Sequence, residues 1–288
     1  MAAIFGQGGI GDPEGLPVLL SVAVGLLLLG LAQIPVARAL EVRLLGDAPS
    51  VPRAFRPFDL ALAVVAFFVA QVVVTLGYGY WATGELTPTE EFFESLEALP
   101  LLVITALGQA IPALGIVLVA LTRTGGTAEL GLVRVARGFR VPYALLRYVL
   151  AIPSLFGLIL LTTVVFQIAG LEPPEQDTAV LVREGIERNP VAIPLLVAVV
   201  IPLLEEILFR GFLLELLVGR IGRWGGVLVS SALFAALHGA EAFLPIFGLA
   251  LVLAAVKLRT RSLAAAWAVH ALHNGAMTFL LHAGVDPT

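Results

Sequence analysis

The amino-acid sequence predicts an all-α fold, a polytopic transmembrane helical bundle of about eight spans, on three observations. Of its 288 residues 59% are apolar and only 13% are charged, whereas an ordinary soluble domain has roughly a quarter of its residues charged. Apolar runs recur from residue 16 to residue 283 with no polar stretch long enough to fold separately. Basic residues collect in every second loop, as they do where loops alternate across a membrane. One integrated membrane domain is expected, with accessory helices in residues 1–148 and a functional core in residues 149–288.

A bilayer core of about 30 Å needs roughly 20 apolar residues in a helix, which satisfies its own backbone hydrogen bonds. The runs 16–37, 60–81, 100–122 and 149–169 meet that length. The first is preceded by Asp12 and Glu14 instead of a cationic segment and lacks an evident cleavage site, so it reads as a retained span and not a signal peptide. The fifth run, 191–219, is longer and is interrupted by charges. Runs 225–240, 243–256 and 263–283 follow, the middle one short enough to be tilted or incompletely spanning, which makes seven spans the rival count.

Basic residues fall at Arg38, Arg43, Arg53 and Arg56; at Arg123, Arg134, Arg137, Arg140 and Arg147; at Arg220 and Arg223; and at Lys257, Arg259 and Arg261, together 14 of the 17 in the chain. The alternate loops are acidic, with Glu85, Glu90, Glu91, Glu94 and Glu97 in one and Glu172, Glu175, Asp177, Glu184 and Glu187 in the other. Basic loops on the cytoplasmic side put both termini outside it, in an integral, multi-pass protein of a prokaryotic plasma membrane. Membrane lipid is therefore an expected partner. Between Pro88 and Leu99, carboxylates alternate with Phe92, Phe93 and Leu96, a pattern that fits a short amphipathic surface helix or a solvated loop. The absence of cysteine excludes thiolate chemistry and disulfide frameworks. The net charge of −4, without a basic patch interleaved with aromatics, speaks against nucleic acid as a partner.

Glu205, Glu206 and Arg210 lie in the middle of the fifth run. A charge at mid-bilayer costs at least about 2.5–3.5 kcal/mol on insertion scales, so such residues face the bundle interior and often mark a working site. On a helix Glu206 and Arg210 share a face, in the favourable acid-before-base order, while Glu205 points about 100° away and keeps its carboxylate for another task. A buried polar cluster that only fixes helix packing is the plain alternative. Two further spans carry deep polar groups, however: Phe234-Ala-Ala-Leu-His238 in the sixth run and His270-Ala-Leu-His273-Asn274 in the eighth. A carboxylate, two imidazoles and an amide on three helices supply a proton acceptor, a group to share the proton, and donors for an oxyanion. His273, on an adjoining face, and His282, near the chain end, are expected to stay outside this cluster.

These three segments resemble the CPBP family of membrane endopeptidases, also called the Abi or CAAX-protease family, whose pattern is E-E-x-x-x-R, F-x-x-x-H and H-x-x-x-N on successive core helices. The match runs over roughly residues 190–283, with Glu205-Glu206-Ile-Leu-Phe-Arg210, Phe234 to His238 and His270 to Asn274 in order. The resemblance implies an intramembrane endopeptidase acting on a membrane-associated protein or peptide. It further implies that Glu205 activates water with His238, that His270 and Asn274 bind the oxyanion, and that Glu206 and Arg210 organise the helix while Phe234 packs beside the site.

No cofactor is favoured. Zinc is the alternative, since family members are often labelled metallopeptidases and Glu205, His238 and His270 are donor types that zinc takes; the H-E-x-x-H helix of ordinary zinc peptidases is absent. A non-catalytic scaffold or immunity-type protein and a proton-coupled transporter are the readings from other classes. A single charged, Pro-containing segment, around Pro194 and Pro202, does not give the paired broken helices of an inverted-repeat transporter. Substrate identity and oligomeric state leave no mark in the sequence.

Overall fold

The computed structural model describes residues 15–45, 53–85, 87, 89–132, 140–171 and 177–284. Among the described residues there are helices and connecting turns and no strand, so the chain is an all-α polytopic bundle. Among the described residues six helical stretches are long and apolar enough to cross a membrane: Leu16–Ala39, Pro57–Thr83, Ala98–Thr122, Arg140–Ile168, Ala192–Ala236 and Phe243–Thr260. Two of the eight expected runs are missing from that count for separate reasons. The run at 225–240 is continuous with its predecessor in one 45-residue stretch, interrupted at Gly222, where φ 79° and ψ 171° are not helical. The last helix, Leu263–His282, has the length, but its histidines and asparagine lower its hydropathy. The run read as short, 243–256, extends instead to Thr260, because Lys257 is buried inside the helix with a carboxylate partner.

Local sequence sets the ends. Pro57 opens the Pro57–Thr83 helix, the Asp59 carboxylate takes the Arg56 N–H, and Gly84 closes it in the left-handed region at φ 77°, the usual asymmetry of proline at the start and glycine just past the end. This helix leaves Phe58, Phe68 and Trp81 exposed, as expected of a surface that faces lipid tails. The Leu16–Ala32 and Arg140–Ile168 helices touch through small residues. A Cβ on Gly157 would lie 2.9 Å from the Ala23 carbonyl oxygen, so glycine is what permits the backbones to approach, as at membrane helix interfaces generally.

The charged loops sort to opposite ends of the bundle. At one end Arg53 donates to the Gly219 carbonyl, Arg123 pairs with Asp59, and Glu129 accepts the N–H groups of Ala54 and Phe55. There, too, Lys257 donates to the Glu129 carbonyl at 2.9 Å and to Glu215 at 2.6 Å, while Arg261 grips Glu215 with two bonds of 2.9 and 2.8 Å. Members of three of the four basic clusters thus meet on one side, where Arg53 reaches the chain just before Arg220 of the other. At the other end Arg188 pairs with Glu97, and the amphipathic helix Asp177–Arg188 buries Ala179 and Val182 against Ala98, Leu102, Ile193 and Leu281. Between Pro88 and Leu99 a five-residue helix forms over Glu90–Glu94, with the Thr89 hydroxyl accepting the Phe92 N–H. The loop charges Arg134, Arg137, Glu172 and Glu175 lie outside the described residues, as do Asp12, Glu14 and Pro88.

Candidate active site

The stretch from Ala192 to Ala236 is not a uniform α-helix. It is α-helical over Ala192–Leu195, Ile201–Glu205 and Leu214–Ala236, with π turns at Leu196–Val200 and Glu206–Leu213. Such turns, bonded i→i+5, interrupt α-helices frequently at functional sites. Here the second one holds both Glu206 and Arg210. Arg210 Nη1 lies 3.1 Å from Glu206 Oε1, both side chains being at most 2% exposed, so the four-residue spacing read from the sequence does form an ion pair. The guanidinium carbon sits 4.0 Å from the centroid of the Phe234 ring. Phe234 is therefore a π platform for the Arg210 cation as well as a packing residue, and its ring also meets His238 and His270 with centroids at 4.6 and 5.8 Å.

Glu206 has a second partner. His270 Nδ1 lies 2.9 Å from Glu206 Oε1, which fixes the ring and leaves Nε2 facing Glu205, 3.6 Å from Oε2. His238 is held in the same sense. Its Nδ1 donates to the Phe234 carbonyl at 2.7 Å, and its Nε2 lies 3.9 Å from Glu205 Oε1. The Glu205 carboxylate thus stands between two imidazole Nε2 atoms, each ring oriented by an oxygen acceptor on its other nitrogen. Its side chain is 12% exposed and that of His238 31%, so the cluster opens toward its surroundings on the His238 side.

Asn274 lies one turn beyond His270 on the same helix and donates from Nδ2 to the Val197 carbonyl at 3.1 Å. Three residues before His270, Trp267 donates from its indole N–H to the Val199 carbonyl at 3.0 Å. His273 is drawn elsewhere, to the Tyr148 hydroxyl at 3.0 Å, and His282 is exposed at the helix end. Tyr148, Trp267 and the two carbonyls were not singled out in the sequence. Tyr148 stands beside Arg147 just before the fourth apolar run and Trp267 is a position of none of the three motifs, and a backbone acceptor has no letter of its own.

Glu205, His238 and His270 have the donor types zinc takes, with each Nδ1 anchored as in histidine metal ligands. Among the described residues, though, no group of three or more such side chains is arranged to hold a metal ion. The carboxylate oxygens face the two rings separately.

Fold and cluster together define a class: a polytopic membrane protein with an acid–imidazole centre inside its helices. Residues 187–276 match the family model described as type II CAAX prenyl endopeptidase Rce1-like; this segment of the chain is Rce1-like, in line with the resemblance to the CPBP family, and the match supports a CAAX-type intramembrane peptidase in general terms. The matched segment contains all three motifs and leaves the first four apolar runs outside it. No match to this chain was found among curated proteins or among solved structures.

Proposed function

We propose that this protein hydrolyses a peptide bond in a membrane-associated protein or peptide, with Glu205 as the general base. The observation that carries this reading is the pair of oriented imidazole Nε2 atoms, 3.6 and 3.9 Å from the two oxygens of one carboxylate. A water seated between Glu205 and His238 loses a proton to Glu205, and its oxygen bonds to the scissile carbonyl carbon. His238 holds that water as an acceptor, since its Nδ1–H is committed to Phe234. The carbonyl oxygen becomes an oxyanion that receives donors from Asn274 and from Nε2 of a protonated His270, whose Nδ1–H stays with Glu206. Collapse of the intermediate breaks the C–N bond, and the proton on Glu205 passes to the leaving amine. Glu206 and Arg210 act by holding His270 and the helix.

In this reading the mechanism needs no cofactor, residues 149–288 form the catalytic core, and the preceding spans are accessory within one membrane domain. Eight spans cross the plasma membrane of a prokaryote with the basic end of the bundle in the cytoplasm and both termini outside. The substrate is of the CAAX-processing type, a tail that reaches the site from the membrane. The zinc version of the same peptidase rests on the donor set described above. Purified protein and its Glu205→Gln variant, tested on a quenched fluorescent prenylated peptide with a CAAX ending and on a membrane protein extract, decide between these readings. Glutamine keeps shape and removes the proton acceptor, so cleavage should fall by about 100-fold or more. Equal activity in both proteins would sink the catalytic role. Activity that disappears with chelation and returns with zinc would decide for the metallopeptidase.

A further inference from the structure

A proline in a helix interior is destabilising because it removes a backbone donor and crowds the preceding turn, yet Pro202 stands three residues before Glu205 in the middle of the motif helix. The residue before a proline is also steered away from helical angles, and Ile201 nonetheless holds φ −59°, ψ −48°. The hydrogen bonds around it give the arrangement a purpose. Within the π turn the Ile201 N–H reaches back five residues to the Leu196 carbonyl. The next bond in that pattern would run from residue 202 to the Val197 carbonyl, and Pro202 has no N–H to make it. Val197 is left with a carbonyl inside the bundle that its own helix does not satisfy, and Asn274 Nδ2 supplies the bond at 3.1 Å. Two residues on, the Val199 carbonyl takes the Trp267 indole at 3.0 Å, so the helix bearing His270 and Asn274 is pinned to this turn at two points.

We infer that Pro202 is a positioning residue for Asn274: by withholding a backbone donor it reserves the Val197 carbonyl, and that carbonyl fixes which way the Asn274 amide faces. A carboxamide has two ends of similar shape. The reserved acceptor selects the nitrogen end toward Val197, so one N–H is held and the orientation of the other is set before substrate arrives. Preorganised donors of this kind are worth most where no reorganisation accompanies the reaction. This inference rests on the reading of Asn274 as an oxyanion donor, but its structural half can be tested apart from activity.

The chain contains two asparagines, Asn189 and Asn274, so protein labelled with ¹⁵N-asparagine in detergent micelles yields two side-chain amide signals, and the one missing in Asn274→Ala belongs to Asn274. In the parent protein one Asn274 proton should exchange slowly with solvent. Pro202→Ala restores a donor that competes for the Val197 carbonyl, and exchange should accelerate about 10-fold, the worth of one hydrogen bond. Rapid exchange already in the parent, or unchanged exchange in folded Pro202→Ala, overturns the inference; the parent measurement holds even where the variant fails to fold. On the prenylated peptide, Pro202→Ala should lower kcat by about 10-fold with KM kept, and should add less than about 2-fold to Asn274→Ala, since it acts through that residue. Full additivity would refute the coupling. If Asn274→Ala itself retains full activity, the oxyanion reading fails, while the exchange result still decides whether Pro202 sets the amide.

Discussion

Arg210 offers the sharpest quantitative check on the site. It is 1% exposed and Glu206 is completely buried, with 3.1 Å between Nη1 and Oε1 and the guanidinium stacked 4.0 Å above Phe234. Arg210→Met keeps an unbranched stem to cover the ring but leaves the Glu206 carboxylate with His270 alone. Removing one partner of a buried ion pair costs about 3–5 kcal/mol, because the other charge is stranded. Loss of a desolvated cation–π contact is worth about 2 kcal/mol by itself, of which the methionine recovers a part, so the upper end of the range is expected. For a chain of this size that corresponds to a fall in Tm on the order of 10 °C. Arg210→Met combined with Glu206→Gln removes both charges and should regain most of the loss. The assay is thermal unfolding of detergent-purified protein at neutral pH. A single variant within about 2 °C of the parent, or a double variant no better than the single, would refute the pairing argument.

Two further predictions concern the loops. Burial raises the pKa of Glu129, against the opposing pull of the Ala54 and Phe55 N–H groups and of Lys257, from an ordinary value of 4.5. A raised acid favours the fold fully below its unfolded pKa and loses that contribution as pH rises through its folded value. Glu129→Gln should therefore gain in Tm relative to the parent as pH rises above the ordinary value of 4.5, and a relative gain in the opposite direction would contradict this. The cysteine-free chain also permits clean labelling. A membrane-impermeant thiol reagent added to intact cells should modify Ala283→Cys and spare Arg220→Cys, two exposed positions at opposite ends of the bundle; the reverse pattern would invert the proposed orientation.

The helical class and the motif helices were legible because hydropathy and rare intramembrane charges are one-dimensional signals. The pairing of Glu206 with Arg210 follows from helical spacing, and Glu205, His238 and His270 stand out as rare polar groups within apolar runs; the structure places the two imidazoles 3.9 and 3.6 Å from the Glu205 carboxylate. What stayed hidden depends on the path of the backbone. Two π turns shift the register of the motif helix without a distinctive sequence, so the Val197 acceptor was invisible although Pro202 stood in plain view. Lys257 reads as one more loop cation; only when Glu129 and Glu215 are brought beside it does it become a buried residue that lengthens its helix to Thr260. The Tyr148–His273 contact joins positions 125 apart, beyond the reach of any local pattern.

The knot at the basic end has a consequence for how the protein is made. Glu129 and Glu215 leave the ribosome well before Lys257 and Arg261, the cations that bind them or their backbone. Domains mature as their chains emerge, so the nascent molecule carries a waiting Glu215 carboxylate, whose cations arrive only with the Phe243–Thr260 helix and with Arg261 just beyond it. Emergence of residues 257–261 is then the event that latches this end of the bundle. Chains stopped short of residue 257 would keep their early helices in the bilayer with the latch open.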